Sequence, residues 1–226
     1  MSVTISRQAL MRMPNYLKYL KQLRADGVES VTATAIASEM GLNEIQVRKD
    51  VAAVSTRPGK PMVGFSVREL IRDMGAFLAL ENVRDAVIVG VGGLGSALMG
   101  YSGFAEYGMN IVAAFDSDPE KVGKLIHGKR VYAMGEMDAI CRRLHILIGI
   151  ITVPAVAAEA AYHALVQSGI LAVWNFAPVH LTESDGILIQ NESMTSSLAV
   201  LSVRLREMTR TRSEMIDPEK EAEGGL

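Results

Sequence analysis

The segment Gly90-Val91-Gly92-Gly93-Leu94-Gly95 constrains this chain more than any other. Its glycines fall as G-x-G-x-x-G, directly after the apolar run Ala86-Val87-Ile88-Val89 and before a helix-forming stretch from about Leu94. A second apolar run, Ile111–Phe115, ends on a carboxylate, Asp116, 21 residues after Gly95. Strand, glycine turn, helix, strand and acid in that order are the fingerprint of a dinucleotide-binding βαβ unit. Gly90 permits the tight turn, Gly92 lets backbone approach a pyrophosphate, and Gly95 lets the helix pack on the strand. The N–H groups of Gly90, Val91, Gly92, Gly93, Leu94 and Gly95 then belong to a cradle at a helix N-terminus, which suits phosphate charge. Asp116 is placed to accept hydrogen bonds from adenine ribose hydroxyls and to repel a 2′-phosphate, so NAD(H) is expected before NADP(H). The plainer alternatives are glycines present only for packing, and Asp116 as a turn or cap residue before Asp118-Pro119.

The second part of the chain continues this alternation. Asp118-Pro119 is expected to open a helix. Val131–Ala133, Ile146–Ile151, Ala172–Trp174 and Ile187–Gln190 read as strands, and Gly135–Arg143 and Ala155–Gln167 as helices. Strands separated by helix-length segments predict a doubly wound parallel sheet of the Rossmann type. Loops at the carboxyl ends of its strands should line one crevice. Thr152, Val153 and Pro154 in one loop, and Asn175 and Phe176 in another, are therefore candidates to contact ribose or nicotinamide, with ordinary turn chemistry as the alternative. A last helix spans Met194–Met208, and a disordered tail is expected from Thr209.

The first part reads differently. Leu17, Leu20 and Leu23 sit at helical spacing up to Gly27, a short helix runs from about Thr34 to Met40, and a third opens at Asn43 and reaches about Val54. Ala37, Gly41 and Val47 have the spacing of a helix-turn-helix: a small residue for close crossing, a glycine for the left-handed turn, an apolar anchor. The second of these helices carries Asn43, Gln46, Arg48 and Lys49, side chains that suit base edges and phosphates. Gln46 could instead close a capping box with Asn43, and Arg48 and Lys49 could be solvated charges. Ser55–Phe65, punctuated by Pro58, Gly59 and Pro61, is expected to form a strand–turn–strand wing that offers Arg57 and Lys60 to DNA. Val67–Leu80 returns to helix as a linker.

This divides the 226 residues into a winged-helix domain over 1–81, a nucleotide-binding domain over 82–192, a helix over 193–208 and a tail over 209–226. The charge divides too: residues 1–81 carry 11 basic and 8 acidic side chains, and the remainder 12 and 17. A modestly basic first part is compatible with phosphate binding. Cys141 is the one cysteine, which excludes an internal disulfide and a cysteine-rich zinc site and suits a reducing compartment. The most apolar stretch, Ile146–Ala158, is shorter than the roughly 20 residues a bilayer needs. No signal peptide is expected, which makes a cytoplasmic location the expectation.

At these residues the chain resembles the Rex redox-sensing transcriptional repressors. The likeness spans about residues 5–205 and includes Arg12-Met13-Pro14-Asn15-Tyr16-Leu17, Gln46-Val47-Arg48-Lys49-Asp50, the glycine segment, Tyr101-Ser102-Gly103-Phe104, Ala113–Pro119, Thr152-Val153-Pro154 and Asn175-Phe176-Ala177-Pro178. The resemblance implies a homodimer on a palindromic operator in double-stranded DNA. It implies that NADH closes the paired nucleotide domains and lowers DNA affinity while NAD+ competes weakly, and that helix Met194–Met208 swaps onto the partner subunit. Two positions depart from the family pattern. Phe65 stands where many members have a tyrosine after the wing, and Ser193 where they have an aspartate before the last helix, so a coupling hydroxyl and carboxylate are absent. The wing is also poorer in glycine.

Two rival functions remain at this level. An NAD-dependent oxidoreductase needs a proton donor beside the nicotinamide. The chain has no Tyr-x-x-x-Lys, and of His127, His145, His163 and His180 only His180 follows a crevice loop. No histidine pair has metal-ligand spacing within a helix, so no metal site is expected. The second rival is a DNA-binding regulator whose nucleotide domain serves only as a dimerisation scaffold.

Overall fold

The computed structural model describes residues 5–78, 84–182 and 186–216. The chain divides into two compact units, Met1–Val83 with Gly103–Met109, and Arg84–Ser102 with Asn110–Leu226.

The first unit opens with α1 (Arg7–Ala25), capped by the Ser6 hydroxyl on the Ala9 N–H, and burying Met13, Tyr16, Leu17 and Leu20 along one stripe. β1 (Ser30–Val31) leads to α2 (Ala33–Met40), capped by Thr32 and ended by Gly41 at φ +61°. α3 (Glu44–Val54) follows after Asn43, whose Oδ1 accepts from the N–H groups of Ile45 at 2.9 Å and Gln46 at 3.4 Å. Val47, Val51 and Val54 of α3 join Ile36 and Ala37 of α2 in one core with α1 and with Leu70 and Met74 of α4 (Val67–Phe77). The helix-turn-helix spacing is thus realised as packed structure. The described part of α4 ends in a cap at Leu78, and residues 79 and 80, where the linker helix was expected to continue, lie outside the described residues.

The wing is smaller than expected. Its own pairing is one bridge between Lys60 and Gly64, with Lys60 N–H to Gly64 O at 2.8 Å and Gly64 N–H to Lys60 O at 2.9 Å. Pro58 and Pro61 lack the N–H a longer ladder would use. The strand after it, β2 (Phe65–Ser66), pairs instead with β1, antiparallel, Val31 opposite Phe65. Gly64, at φ +86°, makes this approach possible: a Cβ there would lie 2.2 Å from Val31 O. The Phe65 ring lies under the wing at Gly59, where a Cβ would meet it at 3.0 Å.

The second unit holds a seven-stranded sheet in the order β5-β6-β4-β3-β7-β8-β9. Its strands are β3 (Arg84–Val89), β4 (Met109–Asp116), β5 (Leu125–Ile126), β6 (Lys129–Ala133), β7 (Ile148–Ile151), β8 (Ala172–Asn175) and β9 (Leu188–Asn191). β4 with β6, β3 with β7, β7 with β8 and β8 with β9 pair in parallel, and the edge strand β5 is antiparallel to its neighbour β6. α5 (Gly93–Gly100), α6 (Met137–Arg143) and α7 (Ala155–Gln167) cross over between strands. From β3 the chain winds to one side through β4 and β6 and then to the other through β7, β8 and β9. The order therefore reverses between β3 and β7, which is where a doubly wound sheet opens its crevice. The core around it is aliphatic: Val87, Val89, Ala113, Phe115, Ile151, Ala158, Leu165 and Val173.

Two expectations fail here for local reasons. Asp118-Pro119 opens a turn and no helix. The Asp118 carboxylate accepts from the Glu120 N–H at 2.9 Å, but Gly123 at φ +84° ends the turn before a helix can nucleate. The chain then forms the β5–β6 hairpin over His127 and Gly128, both at positive φ. The final helix, α8, runs Met194–Ile216, so the expected disorder does not begin at Thr209. Thr209–Met215 contains no glycine or proline; Pro218 is the first, and it disfavours helix at the residue before it. Residues 217–226 lie outside the described residues. Met194, Leu198, Leu201, Leu205 and Met208 recur along α8 at intervals of three and four, and each is more than half exposed. Among the described residues no helix is long and apolar enough to cross a membrane.

Candidate nucleotide and nucleic-acid sites

The glycine segment forms the turn from β3 into α5 at the crevice. Gly90 has φ +93°, and a Cβ on it would lie 2.7 Å from Val153 Cγ1. A Cβ on Gly95 would lie 2.0 Å from Gly90 O, so the helix touches the turn backbone directly. Gly92 and Gly93 are the opposite: exposed, with nothing within 4 Å of a Cβ. Gly92 is also the N-cap of α5 and no side chain caps the helix. Two glycines are thus required by packing and two leave open space at an uncapped helix start, a cradle that fits a pyrophosphate. Leu94 is half-buried and Val91 buried, so these two offer backbone rather than side chain.

Asp116 ends β4 beside this turn and is 8% exposed. Its Oδ2 accepts from the Val91 N–H at 2.7 Å and from Lys121 Nζ at 3.2 Å, and its Oδ1 accepts from the Asp118 N–H at 2.9 Å. Burial disfavours the charge. The Asp118 and Val91 donors and the Lys121 ammonium outweigh it and hold the carboxyl below the usual carboxylate range. The turn reading of Asp116 is realised: it caps the turn, and since a carboxylate has about four acceptor sites, these three bonds do not use them all. Lys121 was not anticipated. Its ammonium, 3.5 Å from Asp118 Oδ2 as well, offsets part of the negative charge at the end of β4.

The other crevice loops are held from within. Thr152 Oγ1 donates to Gly90 O at 2.6 Å and its N–H to Val89 O at 2.9 Å, so this side chain braces the glycine turn. Val153 closes on Gly90, and Pro154 is exposed at the N-cap of α7. Asn175 is fully buried. Its Nδ2 donates to Val179 O at 2.7 Å and Asn191 Oδ1 at 2.9 Å, and its Oδ1 accepts from the Ala177 N–H at 2.9 Å. That side chain shapes the loop and has no surface to offer a ligand. Phe176 is half-buried with its ring 4.8 Å from Trp174, and it lines a cleft with Pro178, His180, Ser193 and Thr195. Ser193 caps α8 there, accepting from the Ser196 N–H at 3.1 Å.

In the first unit, α3 presents Arg48 and Lys49 on its outer face, with Gln46 half-buried beside them. Arg48 pairs with Glu44 one turn earlier. Lys49 and Lys60 are exposed and have no ionic partner among the described residues. Arg57 Nη1 meets Glu69 Oε1 of α4 at 2.6 Å. The wing is tied at its start by Asp73, whose Oδ2 accepts from the Thr56 N–H and Oγ1, both at 2.7 Å. Burial opposes the Asp73 charge, but Thr56 and Arg72 hold the group below the usual carboxylate range. Gln46 does not turn back to the Asn43 N–H. Its amide faces Arg12 of α1. Arg12 in turn grips Asp50, and the Tyr16 hydroxyl donates to Asp50 Oδ2 at 2.9 Å. Arg12, Tyr16 and Asp50 were seen in the sequence only as motif letters. A carboxylate on the buried side of α3, between Val47 and Val51, is the signal that marks them.

Known proteins match both parts of the chain. Residues 4–51 match the family model of a putative DNA-binding protein N-terminus, and residues 82–179 that of a CoA binding domain. The redox-sensing transcriptional repressor Rex of Treponema denticola is 41% identical over 86% of this chain and 92% of its own length. That of Porphyromonas gingivalis is 37% identical over 90% of this chain and 93% of its own. RSP, a Rex-family repressor, superposes with a TM-score of 0.84 at 28% identity in its complex with β-NAD+ and operator DNA, covering 95% of this chain and 98% of RSP. Its β-NADH complex gives 0.81 at 29% identity, covering 92% and 98%. These relatives are named as regulators, which sets the oxidoreductase reading aside. The chain belongs to the Rex family of redox-sensing transcriptional repressors.

Proposed function

We propose that this protein is a cytoplasmic homodimeric repressor that binds a palindromic operator and leaves it when NADH binds. One observation carries the reading. A helix-turn-helix with an exposed α3 face and a glycine cradle at an uncapped helix start occur in one chain, in the order found in a relative crystallised with both β-NAD+ and operator DNA. In this reading α3 enters the major groove with Asn43, Gln46, Arg48 and Lys49, and Arg57 and Lys60 of the wing contact the backbone or minor groove. The cradle of Gly90–Gly95 holds the pyrophosphate, Asp116 a ribose hydroxyl, and Val153, Pro154 and Phe176 border the nicotinamide end. Thr152 and Asn175 act by holding those loops. The apolar stripe on α8 supports its exchange with a partner subunit, since five exposed apolar residues on one helix face call for a covering surface.

Release requires two dimer arrangements with different NADH affinity. The uncharged reduced ring fits an apolar border better than the cationic oxidised ring. A differential of a few kcal/mol suffices for a large change in occupancy.

Fluorescence anisotropy of a labelled palindromic operator, titrated with NADH, NAD+ and NADPH, tests this. Release at low NADH, with far more NAD+ needed, is the expected result. A second reading, operator binding uncoupled from nucleotide, is favoured by Ser193, which caps α8 with a hydroxyl where many members carry a carboxylate. It predicts tight DNA binding that no nucleotide alters.

A further inference from the structure

Gln46 is half-buried on α3 with its amide toward α1. The amide end lies 3.1 Å from Arg12 Nη1 and 3.3 Å from Arg12 Nη2, both donors, so the amide is assigned with its oxygen there, accepting from both, and its nitrogen turned away. Arg12 is itself held in place. Its Nε donates to Asp50 Oδ2 at 2.8 Å and its Nη2 to Asp50 Oδ1 at 3.0 Å, while Nε also reaches the Tyr16 hydroxyl at 3.2 Å. Tyr16 and Asp50 are both buried. A glutamine amide oxygen has two lone pairs, and the guanidinium takes both.

What remains is the amide nitrogen, with two donors and no acceptor. Glutamine reads adenine with one of each: its oxygen for the N6 amino group, its nitrogen for N7. We infer that Gln46 reads its base as a donor only, selecting guanine, which presents N7 and O6, or thymine, which presents O4, against cytosine, whose edge presents only an amino group, and less sharply against adenine, whose N7 accepts but whose N6 amino group opposes the second N–H. The inference rests on the proposed operator binding and goes beyond it. Arg12 is then a positioning residue: it acts on base choice through the end of the amide it occupies.

The test selects the full-length protein on a randomised duplex library and repeats the selection with Gln46→Glu and Gln46→Met, each checked for folding by its thermal melt. The position read by Gln46 is the one whose preference changes in both variants. Guanine or thymine is expected there for the unaltered protein, with that preference falling about tenfold or more in Gln46→Met. In Gln46→Glu it shifts toward cytosine or adenine, because one carboxylate oxygen keeps Arg12 and the other accepts from a base amino group. If guanine is selected, replacing it with 7-deazaguanine removes one acceptor and weakens binding of the unaltered protein, with no variant involved. Adenine at that position for the unaltered protein, or no position that responds to both variants, overturns the inference while operator binding stands. No enriched sequence at all overturns operator binding itself, and the inference with it.

Discussion

The Asp116 carboxylate accepts a 2.7 Å hydrogen bond from the Val91 N–H, so the acid that ends β4 holds the glycine turn that follows β3. In the proposed site its charge matters twice, for the turn and for the ribose. Asp116→Asn keeps the shape but leaves one of these donors facing an amide nitrogen. NADH affinity should fall about tenfold or more by calorimetry, the loss expected for a charge-assisted bond at a buried site. The sign of the pH effect follows from the lowered carboxyl. The unfolded chain takes up this proton before the folded one, so the stability is present above the usual carboxylate range and is lost as pH falls through the lower folded value. Acid melts of the Asn variant should lack that share of the slope.

Lys121 sits 3.2 Å from the same carboxylate and is one-third exposed. In the proposed site it would screen Asp116 from a 2′-phosphate, so the unaltered protein should discriminate against NADPH less sharply than a lone acid would. Lys121→Met is expected to weaken NADPH a few-fold more than NADH in competition binding. Equal effects on both nucleotides would show that the ammonium acts on the turn alone.

Gly95 and Gly93 separate packing from ligand space. Gly95→Ala drives a Cβ to 2.0 Å from Gly90 O and should cost about 1–3 kcal/mol of stability along with NADH binding. Gly93→Ala meets nothing within 4 Å, and alanine favours helix by up to about 1 kcal/mol. It should melt no lower than the unaltered protein and still bind NADH more weakly, because the methyl group occupies the phosphate approach. Energy transfer from Trp174, the single tryptophan, to bound NADH reads both.

How far these features were legible in the sequence depends on the range of the interaction. The strand–glycine–helix unit is local, and apolar periodicity placed Ala155–Gln167 with the same ends the structure shows. The helix-turn-helix was legible for the same reason, through Ala37, Gly41 and Val47. The helix at Asp118-Pro119 was misjudged because its cap is genuine but Gly123 and the hairpin at His127-Gly128 decide the outcome a few residues later. The loop-holding bonds of Asn175 were not legible because its partners, Val179 and Asn191, are set by the fold of the loop and the pairing of β8 with β9. Arg12 with Asp50, 38 positions apart, is a contact that no pattern along the chain reports.

Tyr16 gives that contact a spectroscopic signature. Burial first, and then its bond to Asp50, push its hydroxyl up to about 12. A group with a raised folded value stabilises the protein below its unfolded value near 10, and that stability is lost as pH rises through the folded value. The first unit should therefore unfold in alkali as this phenolate forms, visible as an absorbance step near 295 nm late in the tyrosine titration. Tyr16→Phe should remove the step and cost about 1 kcal/mol at neutral pH through the lost hydrogen bond.

Arg57 and Glu69 lead to the last prediction. The wing arginine was expected to meet DNA, yet its Nη1 is 2.6 Å from the Glu69 carboxylate on α4, with the guanidinium 73% exposed. An exposed pair of this kind contributes little to stability, about 0–1 kcal/mol before screening. Its effect on DNA is larger, since the carboxylate competes with phosphate for the same cation. Glu69→Gln keeps the hydrogen bond to Arg57 but removes the competing charge. Operator affinity at low salt should rise several-fold, and the slope of log affinity against log salt should steepen by up to about 0.9, the value for one more phosphate neutralised. Arg57→Gln should flatten the slope by a similar amount, and in that background Glu69→Gln should change it little. A Glu69→Gln effect that persists without Arg57 would mean that the carboxylate repels DNA directly, and that the ion pair plays no part in setting the charge the wing presents.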